Sequence, residues 1–372
     1  MDKKKTVAYL TRHAVSNYGS VLQAYATQTA LEKLGCNAVC IDYYRTDEKT
    51  ENIVDTRLKS VSAKWNKNAL TRIVFKATQK PVYKFADKRF KEYRKIVKVT
   101  DREFNSEEEL KNDIPKADIY MTGSDQVWNT VVCGKIDPVY FLSFLPKEAR
   151  KIAYAASFGG ASVADSDKEN IKNWLEQYDE VTIRENSGVK IASELGIDAK
   201  QVLDPTFLLD KNEWEKIIPN RSCNEKYVLV YQLHPNKQFD TYAKKFAKKK
   251  GLKLYRISHC FHHFVRSGKF ICCPSIGEFL WYIKNAEYFL TDSFHGTAFS
   301  IGLNTQFVDV LPKSYSERIS SILQLIGYEN RILKSYSNFD IANEKIDFNI
   351  VNEKISEERA KSFAILKSMI GD

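Results

Sequence analysis

Three polar runs in this chain combine residue types able to bind anions and move protons. In GSDQVWN (Gly123–Asn129), directly after the apolar stretch Asp118–Thr122, a glycine admits close backbone approach, Ser124 offers a hydroxyl and Asp125 a carboxylate. In TDSFHG (Thr291–Gly296), His295 stands beside Asp292, Ser293 and Gly296 where an apolar run gives way to a helical pattern. Backbone N–H groups and the dipole at a helix start favour an anion. An imidazole placed there can donate to phosphate or carboxylate, or exchange a proton near neutral pH. Arg184 of TIREN also comes straight off an apolar run, and its guanidinium fork suits carboxylate and phosphate. Each position also has a plainer reading: Ser124 or Asp125 capping a helix, Arg184 in a surface pair with Glu185, Asp204 holding the turn of Asp204–Pro205.

Other clusters carry less. His259, Cys260, His262 and His263, with Cys272 and Cys273 downstream, are metal-capable, but their spacing fits no closed zinc pattern. Asp165–Ser166–Asp167 spells the D-x-D of some metal-dependent glycosyltransferases, yet lies just ahead of a predicted helix that it would cap. No G-x-G-x-x-G follows the first strand and no G-x-x-x-x-G-K-[ST] occurs, so neither nicotinamide binding nor a P-loop is supported. No metal ligands are assigned.

The elements that must position these residues alternate. Strand Val7–Leu10, helix Val21–Leu34 and strand Ala38–Tyr43 open a parallel sheet, which resumes with Asp118–Thr122 and Lys151–Ala156. A helix at Asn170–Tyr178, strand Glu180–Ile183, helix Ser187–Leu195 and a strand near Gln201–Leu203 follow. After the polar stretch 220–226, read as a linker, a second alternation runs through strand Tyr227–Leu233, helix Phe239–Lys250 and strands Leu252–Ser258 and Phe270–Cys272. It continues with helix Ile276–Ala286, strand Tyr288–Thr291, helix Gly296–Leu303 and strand Gln306–Val310, and a last amphipathic helix is expected over Ser356–Met369. The expected organisation is an N-terminal Rossmann-like domain over 1–219 with a basic helical insertion at about 50–105, a second such domain over 227–350, and a helix over 351–372 returning near the junction.

Length and composition agree. The 372 residues, 43% hydrophobic and 28% charged, suit a two-domain globular protein and exclude wholesale disorder. No apolar stretch is long enough to span a membrane, the N-terminal apolar run is too short for a signal peptide, and seven sparse cysteines suit a reducing compartment, so a cytoplasmic location is expected. Lys and Arg (57) outnumber Asp and Glu (47), and the excess is local: residues 58–98 hold 13 basic side chains against Asp87 and Glu92. There Tyr83, Ala86, Phe90, Tyr93 and Val97 form one helical stripe among lysines and arginines.

Seven motifs in register carry a resemblance. NYGSVLQAYA (Asn17–Ala26), GSDQVWN, YAASFG (Tyr154–Gly159), IRENSG (Ile183–Gly188), LDPTFLL (Leu203–Leu209), TDSFHGTAFSI (Thr291–Ile301) and SERISSIL (Ser316–Leu323) come in the order seen in the polysaccharide pyruvyl transferase family, which the chain resembles over about residues 5–330. The resemblance implies an α/β fold of two Rossmann-like domains facing across a cleft, similar to B-type glycosyltransferases. It implies transfer of pyruvate from phosphoenolpyruvate, the donor substrate, onto a sugar as a cyclic ketal, in making a capsule, an exopolysaccharide or a lipid-linked precursor. No cofactor is expected. The family's phosphoenolpyruvate-binding arginine carries over to Arg184 and its histidine before glycine to His295. Where members often have arginine two residues before that histidine, this chain has Ser293, a gap that Arg318 would fill. His295 is then proton donor or phosphate ligand, Asp125 activates or orients acceptor hydroxyls, and Ser124, Asn17, Ser293 and Gly296 join Arg184 and Arg318 on the substrates.

The basic segment suits an anionic membrane surface, which would place the protein peripherally at the inner membrane face; as an ordinary solvated insertion it would have no such role. A nucleotide-sugar glycosyltransferase of the same architecture is the alternative activity. A nucleic-acid module, with Trp65, Phe75, Tyr83 and Phe90 stacking on bases, is disfavoured because the charge is confined to one insertion while the polar clusters sit at strand ends, so no nucleic-acid partner is expected. A member that has lost catalysis has only Ser293 to suggest it.

Overall fold

The computed structural model describes residues 4–60, 63–130, 134–312 and 316–371. They form two compact units, one of Met1–Pro205 with Ile365–Asp372, the other Thr206–Ala364. The division falls at Pro205–Thr206, ahead of the polar stretch 220–226.

The first unit contains β1 (Thr6–Leu10), α1 (Tyr18–Lys33), β2 (Asn37–Cys40), α2 (Thr50–Ser60), α3 (Ala63–Asn66), α4 (Ala69–Tyr93), α5 (Glu107–Asn112), β3 (Ile119–Thr122), β4 (Lys151–Ala156), α6 (Asp165–Leu175), β5 (Glu180–Ile183), α7 (Asn186–Glu194) and β6 (Ala199–Gln201). Its six strands are all parallel in the order β2-β1-β3-β4-β5-β6. Parallel strands are covered on both faces and so read as unbroken apolar runs; every residue of β3 and β4 is buried. Trp128 anchors this core, stacked on Phe141 at 5.3 Å and tilted against Phe158 at 5.1 Å.

The second unit contains α8 (Lys211–Glu215), β7 (Tyr227–Tyr231), α9 (Lys237–Lys249), β8 (Lys253–Ser258), β9 (Lys269–Cys272), α10 (Ile276–Lys284), β10 (Tyr288–Thr291), α11 (Phe294–Gly302), β11 (Phe307–Asp309), α12 (Glu317–Ile326) and the start of α13 (Phe348–Ile370). Its parallel sheet has the order β11-β10-β7-β8-β9. Capping fixes where the helices begin: Ser275 and Glu278 form a reciprocal box at α10, and Asn236 caps α9. The last residues of α13 belong with the first unit, where Lys5 Nζ donates to Gly371 O at 2.9 Å and Arg150 to Met369 O at 2.8 Å.

Several expected boundaries shift for local reasons. The helix expected from Val21 starts at Tyr18, because Asn17 accepts from Gly19 N and Ser20 N and so caps it. Strand β2 ends at Cys40, and Tyr43 makes only an isolated bridge with Phe104. Helix α6 begins at Asp165, so Asp165–Ser166–Asp167 forms its first turn, and its N-cap is Ala164, without a side-chain cap bond; Asp165 instead pairs with Lys168. The last helix is longer than expected, Phe348–Ile370. Val97 is buried but lies beyond the end of α4.

Candidate active-site clusters

In each sheet the order reverses at one point, where loops leaving neighbouring strands diverge and leave room for a ligand. In the first unit that point lies between β1 and β3. Ser124 and Asp125 follow β3, Arg184 and Glu185 follow β5, Asp204 comes shortly after β6, and the structure brings all five together. Arg184 donates from one terminal nitrogen to Asp204 Oδ2 at 2.6 Å and to Ser124 Oγ at 3.1 Å, and Ser124 Oγ donates to the same Asp204 oxygen at 2.8 Å. Its other terminal nitrogen lies 3.5 Å from Asp125 Oδ1, and its Nε 3.7 Å from Glu185 Oε2. None of the Arg184 side chain is exposed. Burial alone would lower its pKa, but Asp204, Asp125 and Glu185 more than offset that and raise it. Arg184 is therefore not the surface partner of Glu185 that its sequence neighbourhood allows.

The carboxylates are fixed from behind. Glu185 Oε1 accepts from Ser157 Oγ at 2.8 Å and from Phe158 N at 3.0 Å. Asp125 Oδ2 accepts from Ser20 Oγ on α1 at 2.6 Å, and Oδ1 from Gln126 N at 2.8 Å. Asp125 has φ +84° and bridges Ala156, where β4 bulges and Ala155 has φ +54°. A left-handed non-glycine residue costs about 1–3 kcal/mol and persists where its surroundings over-determine it, a condition met often at functional sites. Gly159, at φ +74°, lets the loop close: a Cβ there would lie 2.4 Å from Asn129 Nδ2 and 2.7 Å from Gln126 Nε2. Both amide nitrogens are buried and make no hydrogen bond among the described residues.

The loop after β1 completes this cluster. Thr11 Oγ1 donates to Ser124 O at 2.6 Å. Arg12 pairs with Glu48 and keeps 11% of its side chain exposed; burial lowers its pKa, but Glu48 and Asp125 raise it overall. His13 is buried with Nε2 2.9 Å from Asp42 Oδ1; burial opposes its charge, but Cys40 and Asp42 raise its pKa to about 10. Asn17, read from sequence as a substrate ligand, spends its side-chain oxygen on the cap of α1.

In the second unit the reversal lies between β7 and β10. Asp292, after β10, accepts from Leu233 N at 2.7 Å and His234 N at 2.9 Å, and its Oδ2 is 3.1 Å from His234 Nδ1. Asp292 is buried while the His234 side chain is 49% exposed. Ser293 is the N-cap of α11, accepting from Gly296 N at 3.3 Å. Gly296 allows close packing on β10, since a Cβ there would meet Thr291 Oγ1 at 2.6 Å. His295 lies buried in the first turn of α11, and Arg318 of α12 sits over the Phe294 ring at 5.5 Å. Deeper, Asp309 accepts from Thr297 Oγ1 at 2.7 Å; burial, and Asp292 nearby, raise its pKa to about 8.

Sequence reading missed His234, Arg12, Ser20 and Glu185 as members of these clusters. His234 had a usable signal, since LHPN follows β7 as TDSFHG follows β10. Ser20 had none, because its partner Asp125 is 105 residues away. In the histidine and cysteine cluster, His263 Nδ1 is 2.9 Å from Ser258 Oγ, and among the described residues no three His, Cys, Asp or Glu side chains converge to hold a metal ion.

Two parallel α/β sheets, each with a polar cluster at its switch point, make up a fold shared with UDP-N-acetylglucosamine 2-epimerases. The chain aligns with UDP-N-acetylglucosamine 2-epimerase from Rickettsia bellii at TM-score 0.53 and 11% identity, covering 98% of both chains. It aligns with S. aureus MnaA, solved with UDP, at TM-score 0.53 and 11% identity, covering 95% of this chain and 91% of the other. No curated protein matches it in sequence. A family model does: residues 17–315 match polysaccharide pyruvyl transferase, and the chain belongs to that family.

Proposed function

We propose that this protein transfers pyruvate from phosphoenolpyruvate onto two hydroxyls of a sugar as a cyclic ketal, with a lipid-linked glycan at the cytoplasmic membrane face as acceptor. The family match over residues 17–315 carries the reading. In the reaction the donor's methylene carbon takes up a proton, giving an oxocarbenium-like centre at the central carbon. One sugar hydroxyl adds there, phosphate leaves, and the neighbouring hydroxyl closes the ring. Of the two hydroxyl protons, one balances that taken up by carbon and the other leaves on phosphate.

The residue types suit these steps. Asp125, held by Ser20 and by its own backbone turn, is the carboxylate for the acceptor hydroxyls, and the Gln126 and Asn129 amides donate to the sugar. Arg184 serves the donor anion, but three carboxylates already surround it, so a donor carrying phosphate and carboxylate needs more positive charge. Arg12, partly exposed and beside Asp125, supplies it. In the second unit, His295 at the start of α11 is phosphate ligand or proton donor, with Arg318 adding charge in place of the arginine absent at Ser293. His234 is a further proton-transfer group: Nδ1 lies against Asp292 Oδ2, which leaves Nε2 to exchange a proton with the substrate.

Calorimetric titration with phosphoenolpyruvate, with UDP-N-acetylglucosamine as control, tests the reading. Saturable binding of phosphoenolpyruvate, lost in Arg12→Ala and His295→Ala, is the expected result. Binding of the nucleotide sugar alone would replace it with a glycosyltransferase.

A further inference from the structure

Helix α4 carries two apolar stripes on opposite faces. Phe75, Val82, Ala86, Phe90 and Tyr93 are buried, with Phe75 packed into a cluster with Val54 and Leu58 of α2. The second stripe, Leu70, Ile73, Val74, Ala77 and Pro81, follows the spacing of one helix face and is exposed. Leu70 is 70% exposed, Ile73 62% and Val74 44%. Contiguous aliphatic exposure of this kind marks an interaction surface. The same face continues toward the C-terminus as exposed Lys84, Lys88 and Lys91, and exposed Lys67 and Lys80 flank the stripe. No Asp or Glu occurs between Asp55 and Asp87. Those two are occupied, Asp55 with Lys76 and Asp87 with Arg94 and Lys91. Lys59 and Lys64 of this basic segment lie outside the described side chains.

We propose that this face of α4 docks on a bilayer rich in anionic lipid, the aliphatic stripe entering the boundary between headgroups and acyl chains while the lysines meet lipid phosphates. Charge complementarity selects that occupant: a second copy would set one cationic rim against another. No helix among the described residues is long and apolar enough to cross a membrane, so contact is made along the surface. The helix is tied to the loop after β1, where Arg94 donates to Ala14 O at 2.6 Å and Tyr18 packs on Phe90 at 5.0 Å. Docking would therefore hold that loop behind the helix, about one helix diameter from the bilayer surface. The inference concerns where the protein sits: it bears on the membrane-face acceptor proposed above and is independent of the transfer of pyruvate itself.

Flotation of the full chain with phosphatidylcholine vesicles, with and without phosphatidylglycerol, tests it. The wild type is expected to float only with phosphatidylglycerol, and less so as salt rises. Leu70→Ser/Ile73→Ser and Lys80→Glu/Lys84→Glu should each cut the bound fraction about tenfold, with unchanged melting temperature and phosphoenolpyruvate titration. A second reporter, Ile73→Trp, should shift its fluorescence to the blue on anionic vesicles. Failure of the wild type to float, or flotation of both double variants at wild-type levels, overturns the proposal. So does light scattering that shows a wild-type dimer dissociated by the serine variant, since the face would then be a protein interface.

Discussion

Arg184 and Asp204 meet at 2.6 Å in the first unit with both side chains essentially buried, across 20 residues of chain that fold as α7 and β6. Removing one partner of such a pair leaves a charge without compensation in low dielectric, at a cost of about 3–5 kcal/mol. Arg184→Ala should therefore lower stability by about that amount in urea unfolding, leaving Asp125, Glu185 and Asp204 to repel one another. Arg184→Met/Asp204→Leu should cost less than the sum of its single changes, because the pair is removed together. Additive losses would mean that the two side chains do not act as a unit.

Much of this arrangement was legible and some was not, for physical reasons. Strands β4, β5 and β10 keep their expected bounds, because burial on both faces leaves largely apolar runs between polar loops. Helix α1 starts ahead of the expected Val21, since Gly19 and Ser20 look like loop residues until Asn17 caps them. Ser124, Asp125 and Arg184 stand out because strand ends are visible in sequence. That Arg184 is shared among three carboxylates was not visible, since only the sheet order brings Asp125, Glu185 and Asp204 around it. The exposed stripe of α4 escaped because its buried partner stripe has the same period, and exposure decides between two faces of one helix.

Ser293 holds the position where family members often carry arginine, and here its hydroxyl caps α11. Ser293→Arg should cost about 1 kcal/mol of stability through the lost cap. If Arg318 supplies the missing charge, Arg318→Ala should weaken phosphoenolpyruvate binding and Ser293→Arg/Arg318→Ala should restore part of it. Calorimetry on the three variants reads this directly. Unaltered binding in Arg318→Ala would remove Arg318 from the donor site.

Asp309 gives the second unit a pH dependence of known sign. Its pKa is raised by burial to about 8 in the fold, above the ordinary carboxyl range near 4, so the folded state holds a proton that the unfolded chain has lost. Below about pH 4 the group is protonated in both states and has no effect on stability. Stability then falls as pH rises from about 4 to about 8, and levels off above. Asp309→Asn, which keeps an acceptor for Thr297, should flatten that slope and melt higher than wild type at pH 8. Parallel melting curves across pH 5–8 for the two proteins would show that Asp309 is not responsible.

His234 and Asp292 form the pair most open to a kinetic test. Asp292 accepts from two backbone N–H groups of the β7 loop as well as from the imidazole, so Asp292→Ala would disturb the loop along with the ring. The informative change is His234→Gln, on a half-exposed side chain whose loss leaves both backbone bonds in place. General acid–base catalysis contributes about 10²- to 10⁴-fold, so His234→Gln should lower kcat within that range with little change in KM for phosphoenolpyruvate. Asp292→Asn, which exchanges a carboxylate for an amide beside Nδ1, should lower kcat less than His234→Gln does. A His234→Gln enzyme that kept the wild-type kcat would show that the ring takes no part in proton transfer. Proton transfer would then fall to His295.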